Sequence, residues 1–532
     1  MAVTRAVAGV VYTPRDVCEP MVRLALAPLL GRDDLLSLRV CDPAIGEGAF
    51  LIEIVRVIGE ALVARGTPPA MARKLVAEHC LRGVDVDPRA VATARAAVEE
   101  FVGARIPALG DHLRIGDALA FHWQEQFDLV VGNPPYVRQE LLVNKSALRT
   151  FEAYDGVADL YVYFIELAQR IARSYCLIVP NKWMTAAYGR PLRERLARSG
   201  SVAGVVDFAR GLPLFSDADA FPCILWGSAS EDRGEPIRAS RITQPTSVAD
   251  ALAAPGIAHA RERWGADPWH IDDPDDGALI DRLIARWPAL AQVIPERPSR
   301  GVVTGYNRAF VIDAETRDDL VRAEPAADAL IRPFIKGRDV RRWRPGRIDR
   351  YILLVDRGTE IAKLPRLRAH LAQFRAELEP GSGRKPGRYK WYELQDPVVP
   401  LAKSRAPRLF YQDIQTAPAC CLDPTGELVP DTTVWILPSA DPFLLAVLNS
   451  PLYAWYARRR FPPALNGAVR PKLEYMRALP IAAPSPALHA KIAELVARQL
   501  AHADPHVDAQ LADLVNEAYE LRPDELARLR GR

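Results

Sequence analysis

Asn133-Pro134-Pro135-Tyr136 follows directly on the apolar run FDLVVG, residues 127–132. It therefore stands where α/β sheets present ligands, beyond the carboxyl end of a strand. Two consecutive prolines restrict the backbone and remove two N–H donors, so the carbonyls there can face a substrate amine instead of a neighbouring strand. An exocyclic amine conjugated to a base ring is a poor nucleophile. The Asn133 side-chain oxygen and the Pro134 carbonyl could each accept one of its N–H bonds, drawing the nitrogen toward tetrahedral geometry and freeing its lone pair. Tyr136 could stack on the ring. The plainer reading is a proline-rich turn that ends a strand; the preceding strand and the following tyrosine weigh against it.

A second strand end carries Asp42-Pro43-Ala44-Ile45-Gly46-Glu47-Gly48-Ala49-Phe50. Gly46 and Gly48 permit a tight turn and close approach of a ligand to the backbone. The loop is not GxGxxG, and Asp42 and Glu47 would repel a pyrophosphate, which disfavours a dinucleotide. S-adenosylmethionine, with a sulfonium and an ammonium, suits a loop that sets carboxylates beside backbone amides. Asp85 ends the next strand and could accept both ribose hydroxyls; Asp87, before Pro88, reads as a helix cap. Asp117 follows a third short apolar stretch, where an adenine amino group would need an acceptor.

The elements that must position these residues alternate over the first ~230 residues, the pattern of a sheet with helices on both faces. Leu38–Cys41, Leu81–Val86, Phe127–Gly132, Tyr175–Val179, Val202–Asp207 and Cys223–Trp226 read as strands. The segment from Ala49 to Gly66 has apolar residues at spacings of three and four, as an amphipathic helix should; a helix after Pro88 and another over Leu160–Ala172 follow. Residues 1–240 form the expected methyltransferase domain and 241–300, polar and turn-rich, a junction. A mixed α+β domain occupies 301–482. A helical tail fills 483–532, divided at Asp504-Pro505 and Arg522-Pro523.

The spacings together resemble those of the gamma-class N6-adenine DNA methyltransferases, the TaqI-like enzymes and the methylase part of type IIG restriction enzymes. Tyr12-Thr13-Pro14 is similar to that family's N-terminal cofactor motif, DPAIGEGAF to its glycine loop, GVDVDP to its ribose-binding strand end, GDAL to its adenine-contacting motif and NPPY to its catalytic motif. The resemblance implies a Rossmann-like, S-adenosylmethionine-dependent fold. It implies a cofactor site of Tyr12, Thr13, Pro14, Asp42, Pro43, Ala44, Gly46, Gly48, Phe50, Asp85, Val86, Asp117 and Ala118. Asn133, Pro134, Pro135 and Tyr136 become the catalytic set. Asp159-Leu160-Tyr161, Val179–Trp183 and Tyr188–Arg193 resemble the motifs that follow. Phe215 becomes a second stacking residue for an extruded base, with Phe221 as its alternative. Gly301–Asn307, Lys336–Val340 and Leu448–Leu452 resemble the family's target recognition domain.

The same region interleaves cations with aromatics. Arg338, Arg341, Arg342, Trp343 and Arg344 form one cluster, Arg384, Lys385, Arg388, Tyr389, Lys390 and Trp391 a second, and Arg458, Arg459, Arg460 and Phe461 a third. Such residues neutralise phosphates and read guanine edges; a single cluster is more often a solvated face, but three in one domain beside a base-modifying site favour DNA for the domain as a whole. Arg338, Arg341, Arg342, Trp343, Arg388, Lys390, Arg458 and Arg459 are the expected DNA contacts, on double-stranded DNA and with the protein acting as a monomer.

Composition excludes other classes. The chain has 532 residues, 49% hydrophobic and 25% charged, with a net charge of only +3, which is ordinary globular usage. The preference for arginine, 59 against 10 lysines, is a compositional bias that by itself implies no function. No apolar run approaches the roughly 18 residues that span a bilayer, and the N-terminus lacks the core of an export signal. Seven cysteines without a CxxC pair support neither a disulfide framework nor a zinc site, which points to the reducing cytosol. The nine histidines show no metal-ligand spacing, so no metal is expected. Only eleven residues precede Tyr12, too few for a nuclease fold, so cleavage would fall to a separate endonuclease or another defence subunit. Methylation of RNA, and a DNA-binding specificity subunit with an idle methylase site, are the competing functions.

Overall fold

The computed structural model describes residues 13–142, 145–208, 221–228 and 235–530. They fall into two compact units that meet in sequence at Pro274 and Asp275. Residues 241–300, read above as a junction, are divided between the two.

The first unit is built on a nine-stranded sheet. Its strands are β1 (Val40–Asp42), β2 (Leu81–Asp85), β3 (Leu113–Ile115), β4 (Phe127–Gly132), β5 (Ala172–Pro180), β6 (Val202–Phe208), β7 (Pro222–Ser228), β8 (Ile237–Ile242) and β9 (Ile257–His259). They lie in the order β3-β2-β1-β4-β5-β7-β6-β8-β9. From β3 to β5 every pairing is parallel. Strand β7 runs antiparallel to both neighbours, β8 is parallel to β6, and β9 is antiparallel to β8.

Alternation along the strands builds two cores, because successive side chains point to opposite faces. Val40, Leu129, Val131, Cys176, Ile178 and Ile224 enter one apolar cluster, while Cys41, Val130, Leu177, Val179, Cys223 and Leu225 enter the other. The first face is covered by helices α1 (Arg15–Leu26), α2 (Ala49–Ala64), α3 (Pro69–His79) and α4 (Pro88–Val102). The second is covered by α5 (Tyr161–Ile171), whose residues Tyr161–Ala168 are all buried. This is the Rossmann-like, mainly parallel arrangement the alternating pattern predicts. Helix α4 starts as its sequence requires, with the Asp87 carboxylate accepting the Arg89 N–H and Pro88 in the first turn.

The second unit is mixed α+β, with two four-stranded sheets. One comprises β10 (Ser299–Arg300), β14 (Arg408–Gln412), β15 (Cys420–Asp423) and β17 (Val434–Leu437); the other comprises β11 (Val311–Asp313), β12 (Ile331–Ile335), β13 (Arg350–Leu353) and β16 (Val429–Pro430). The loose motifs of this half have structural work. Asn449 is buried, donates to the carbonyls of Cys420 (2.9 Å) and Leu445 (3.1 Å), and accepts the Cys420 N–H. Ser450 caps the helix Pro451–Arg460 through the Tyr453 N–H. The tail forms three helices, Pro486–Ala501, Pro505–Ala518 and Pro523–Arg530, each opening on a proline.

Among the described residues no helix is long and apolar enough to cross a membrane. No group of three or more His, Cys, Asp or Glu side chains there could hold a metal ion. All seven cysteines are free and buried.

Candidate active site

Strand order reverses between β1 and β4, and the crevice beyond the carboxyl ends of the strands at such a point is where open α/β sheets take ligands. Asp42 closes β1, Asp85 closes β2 and Asn133 follows β4. Asp42 is 1% exposed. Its Oδ1 accepts the Ala44 N–H at 3.0 Å, while Oδ2 is buried without a hydrogen-bond partner among the described residues. Burial pushes its pKa up to about 7, against the smaller opposing pull of the Ala44 N–H. A buried carboxylate with one oxygen unused is the electrostatic complement of a cation.

Two glycines make room for that carboxylate. A Cβ on Gly132 would sit 2.6 Å from Asp42 Oδ1, and one on Gly83 would sit 2.8 Å from the Asp42 carbonyl oxygen. The glycine loop itself turns through Gly46 and Gly48, at φ 54° and 88°, where a side chain would be strained. Asp85 ties it down. One carboxylate oxygen accepts the Gly46 N–H at 3.0 Å and the other the Asp87 N–H at 2.9 Å, which leaves each oxygen a second lone pair. Pro43 and Phe50 are buried and Ala44 half-buried, whereas Val86 is exposed beside Asp85. Asp117 forms a local turn by accepting the Leu119 N–H, and the buried Ala118 accepts the Trp123 indole N–H through its carbonyl.

The Asn133 carboxamide is oriented from 120 residues away. Its Nδ2 donates to Thr13 Oγ1 at 3.0 Å, and its Oδ1 is buried with no partner among the described residues. Thr13 is buried, just ahead of α1, with Pro14 half-buried beside it. The amide is thus fixed with its donor satisfied and its acceptor unused. Pro134 is buried and Pro135 half-buried. Tyr136 is half-buried; its hydroxyl donates to the Ile178 carbonyl on β5 at 3.3 Å, and burial carries its pKa well above the ordinary phenol range. The backbone after Tyr136 is pinned to the segment ahead of α5: Leu160 N–H donates to the Val137 carbonyl, and Gln139 N–H donates to Asp159 Oδ1 at 3.0 Å. Burial raises the Asp159 pKa.

The structure therefore brings Thr13, Asp42, Asp85 and Asn133 to one end of the parallel strands. Tyr12 and Phe215 lie outside the described residues. Phe221, the alternative to Phe215, is half-buried, and its carbonyl accepts the Asn181 N–H at 2.8 Å. Sequence reading missed Gly132, whose missing side chain lets Asp42 lie against β4, and Asp159 as a brace for the loop that follows β4. Gly132 is visible beforehand as the one glycine of its strand, ending the apolar run Leu129–Val131.

In the second unit the expected contacts part company. Trp343 is 5% exposed, at φ 72°, within the core that includes Tyr411 and Trp435, so its ring is unavailable to a nucleic acid. Arg342 donates to the Asn449 carbonyl at 2.8 Å and to Asp508 at 2.7 Å. Arg459 is bound twice by Asp276 and lies over the Trp455 ring. Arg344 donates to the Ala501 carbonyl. Arg338, Arg341, Arg388, Lys390 and Arg458 are exposed.

A Rossmann-like sheet with an acidic glycine loop after β1, a carboxylate at the end of β2 and Asn-Pro-Pro-Tyr after β4 defines a methyltransferase domain. Residues 79–215 match the Eco57I restriction-modification methylases. It is similar over its whole length to the type II methyltransferase M.PaeR7I of Pseudomonas aeruginosa, at 28% identity over 100% of this chain and 96% of that one. M.BstVI of Geobacillus stearothermophilus is 23% identical over 97% of each chain. Among solved structures, the type IIL restriction-modification enzyme MmeI in complex with DNA shares the fold, with TM-score 0.61 and 15% identity over 97% of this chain and 76% of that one. The type ISP enzyme LlaGI, bound to a DNA substrate mimic, gives TM-score 0.56 at 13% identity over 92% and 47%. The cofactor that follows from the family is S-adenosylmethionine. The residues present fit it: the orphaned, buried Asp42 Oδ2 suits the ammonium, and the Asp85 oxygens keep lone pairs for hydroxyl donors.

Proposed function

We propose that this chain is a site-specific DNA methyltransferase of a restriction-modification system that modifies the N6 amine of adenine in a base extruded from the duplex. The observation that carries this reading is the Asn133 carboxamide, held by Thr13 with its buried Oδ1 unpartnered beyond the switch point. An acceptor in that state suits an N–H donor, and a base amine supplies two. Extrusion follows from geometry, because the amine is paired and stacked within the helix.

S-adenosylmethionine, when bound, supplies an electrophilic methyl group on its sulfonium. Asp42 and Asp85 hold the donor, and Asn133 Oδ1 and the Pro134 carbonyl accept the two N–H bonds of the amine. That pair fixes the nitrogen's direction and localises its lone pair, so catalysis is chiefly positioning. Tyr136 supports the base ring, with Phe215 or Phe221 as its counterpart. No strong base is needed, since the nitrogen is cationic and acidic once methylated and sheds its surplus proton to solvent after the transfer.

Residues 301–482 are proposed as the target recognition domain for double-stranded DNA, with Arg338, Arg341, Arg388, Lys390 and Arg458 facing it. The test is nucleoside mass spectrometry on duplex DNA incubated with the protein and a labelled methyl donor, against Asn133→Ala. N6-methyladenine made by the wild type alone supports the proposal. Label in N4-methylcytosine or only in RNA, or label that survives Asn133→Ala, overturns it.

A further inference from the structure

Arg384 was grouped by sequence with the solvated cations of its cluster, yet it is 6% exposed. Its guanidinium is spent on backbone carbonyls. Nε donates to Leu378 (2.8 Å), Nη1 to Glu393 (2.7 Å) and Thr304 (3.2 Å), and Nη2 to Trp391 (2.8 Å). The Gly305 backbone makes this possible: it lies at φ 78°, and a Cβ there would fall 2.6 Å from Arg384 Cδ. The glycine and threonine of the Gly301–Asn307 motif thus serve to seat one arginine.

That arginine closes the base of a loop, residues 379–391. Gly381 N–H donates to the Arg384 carbonyl at 2.9 Å, and Lys390 N–H to Glu393 Oε2 at 2.9 Å. The Tyr389 ring lies 4.6 Å from the Arg384 guanidinium and 5.2 Å from that of Arg357, and its hydroxyl donates to the Lys385 carbonyl. At the tip, Lys385, Pro386, Gly387 and Arg388 are exposed, as is Lys390. No carboxylate among the described residues forms an ion pair with Lys385, Arg388 or Lys390; the Lys390 ammonium is hydrogen-bonded to Tyr392, whose ring lies 5.6 Å away, and feels the charge of Glu393 more weakly.

None of the three cations on this braced loop is ion-paired among the described residues, so their charges stay available to a ligand, whereas most arginines of this unit are committed to carbonyls or carboxylates. Bracing also means that little conformational entropy is lost when they meet a ligand. We infer that residues 379–391 are a preformed phosphate-gripping loop for duplex DNA, with Arg384 as the positioning residue beneath it. The inference rests on the DNA methyltransferase reading and adds the surface and the device that shapes it.

The test combines Lys385→Gln, Arg388→Gln and Lys390→Gln in the full-length chain and measures duplex binding by anisotropy from low to high salt. Three lost phosphate contacts should make the slope of log affinity against log salt shallower by about 2.7, with donor affinity and melting temperature unchanged. In a second arm, Arg384→Met should expose the Arg388–Tyr389 and Lys390–Trp391 bonds to trypsin well below the melting temperature, where the wild type resists. An unchanged salt slope in a triple variant of a protein that still binds and methylates duplex overturns this inference alone. Preference for single-stranded RNA over duplex, or a wild type that binds no DNA, overturns the functional reading as well. Equal trypsin resistance in Arg384→Met removes the positioning role.

Discussion

Thr13→Val separates orientation of the Asn133 amide, proposed above to hold the base amine, from every other contribution to the site. Valine matches threonine in shape, so the buried packing ahead of α1 survives, but the acceptor for Asn133 Nδ2 at 3.0 Å is removed. A buried amide N–H left without a partner costs about 1–3 kcal/mol. The carboxamide can recover that energy only by turning, which takes Oδ1 out of the orientation it needs. If the loss falls on the reactive arrangement, kcat drops about 5- to 150-fold, at tenfold per 1.36 kcal/mol. Thr13→Ser keeps the oxygen and should retain most of the rate. The assay is single-turnover methyl transfer at saturating donor and DNA, with donor affinity measured separately by calorimetry. Because Thr13 also belongs to the motif resembling a cofactor site, the split between the two readouts is decisive. An unaltered kcat with weakened donor binding, or a serine variant as slow as the valine one, refutes the orienting role.

The Asp42 carboxyl, with its pKa raised to about 7 by burial, binds a cation only when ionised. Donor affinity should therefore fall about tenfold per pH unit below that value and level off above it, with proton release on binding at neutral pH; a flat calorimetric profile from pH 5.5 to 8.5 would contradict this. Gly132→Ala places a methyl group 2.6 Å from Asp42 Oδ1 and should cost about 1–3 kcal/mol of stability together with donor affinity; a variant that melts and binds like the wild type would show that β4 can yield. Trp343→Ala should destabilise the second unit by about 3–5 kcal/mol, whereas Arg338→Ala, whose side chain is 74% exposed, should leave melting unchanged and weaken DNA binding; the opposite pattern would return Trp343 to the surface.

Local signals decided the strand ends and the caps. Asp42, Asp85 and Asn133 each follow an apolar run, and a run that ends on a polar or glycine residue marks a strand terminus whatever the rest of the chain does. Proline after a capping residue likewise started α4 and the first two tail helices. These features are legible because the forces behind them act between residues a few positions apart. The positions of β8 and β9 were not legible, since short strands at a sheet edge carry little pattern of their own and form by pairing with a strand already in place.

From the amino-acid order alone came the residue types at hand: an asparagine with two prolines at a strand end, an acidic glycine loop, and cations strewn through the second half. Which groups are available to perform it was decided only by tertiary packing. Thr13 meets Asn133 across 120 residues, and Gly132 admits Asp42 from another strand. Arg384 disappears under a loop while Lys385, one position on, remains in solvent. Charge and size are properties of a residue, but burial and hydrogen-bond partnership belong to pairs brought together over long distances in the chain. Those pairs form only when the whole core does.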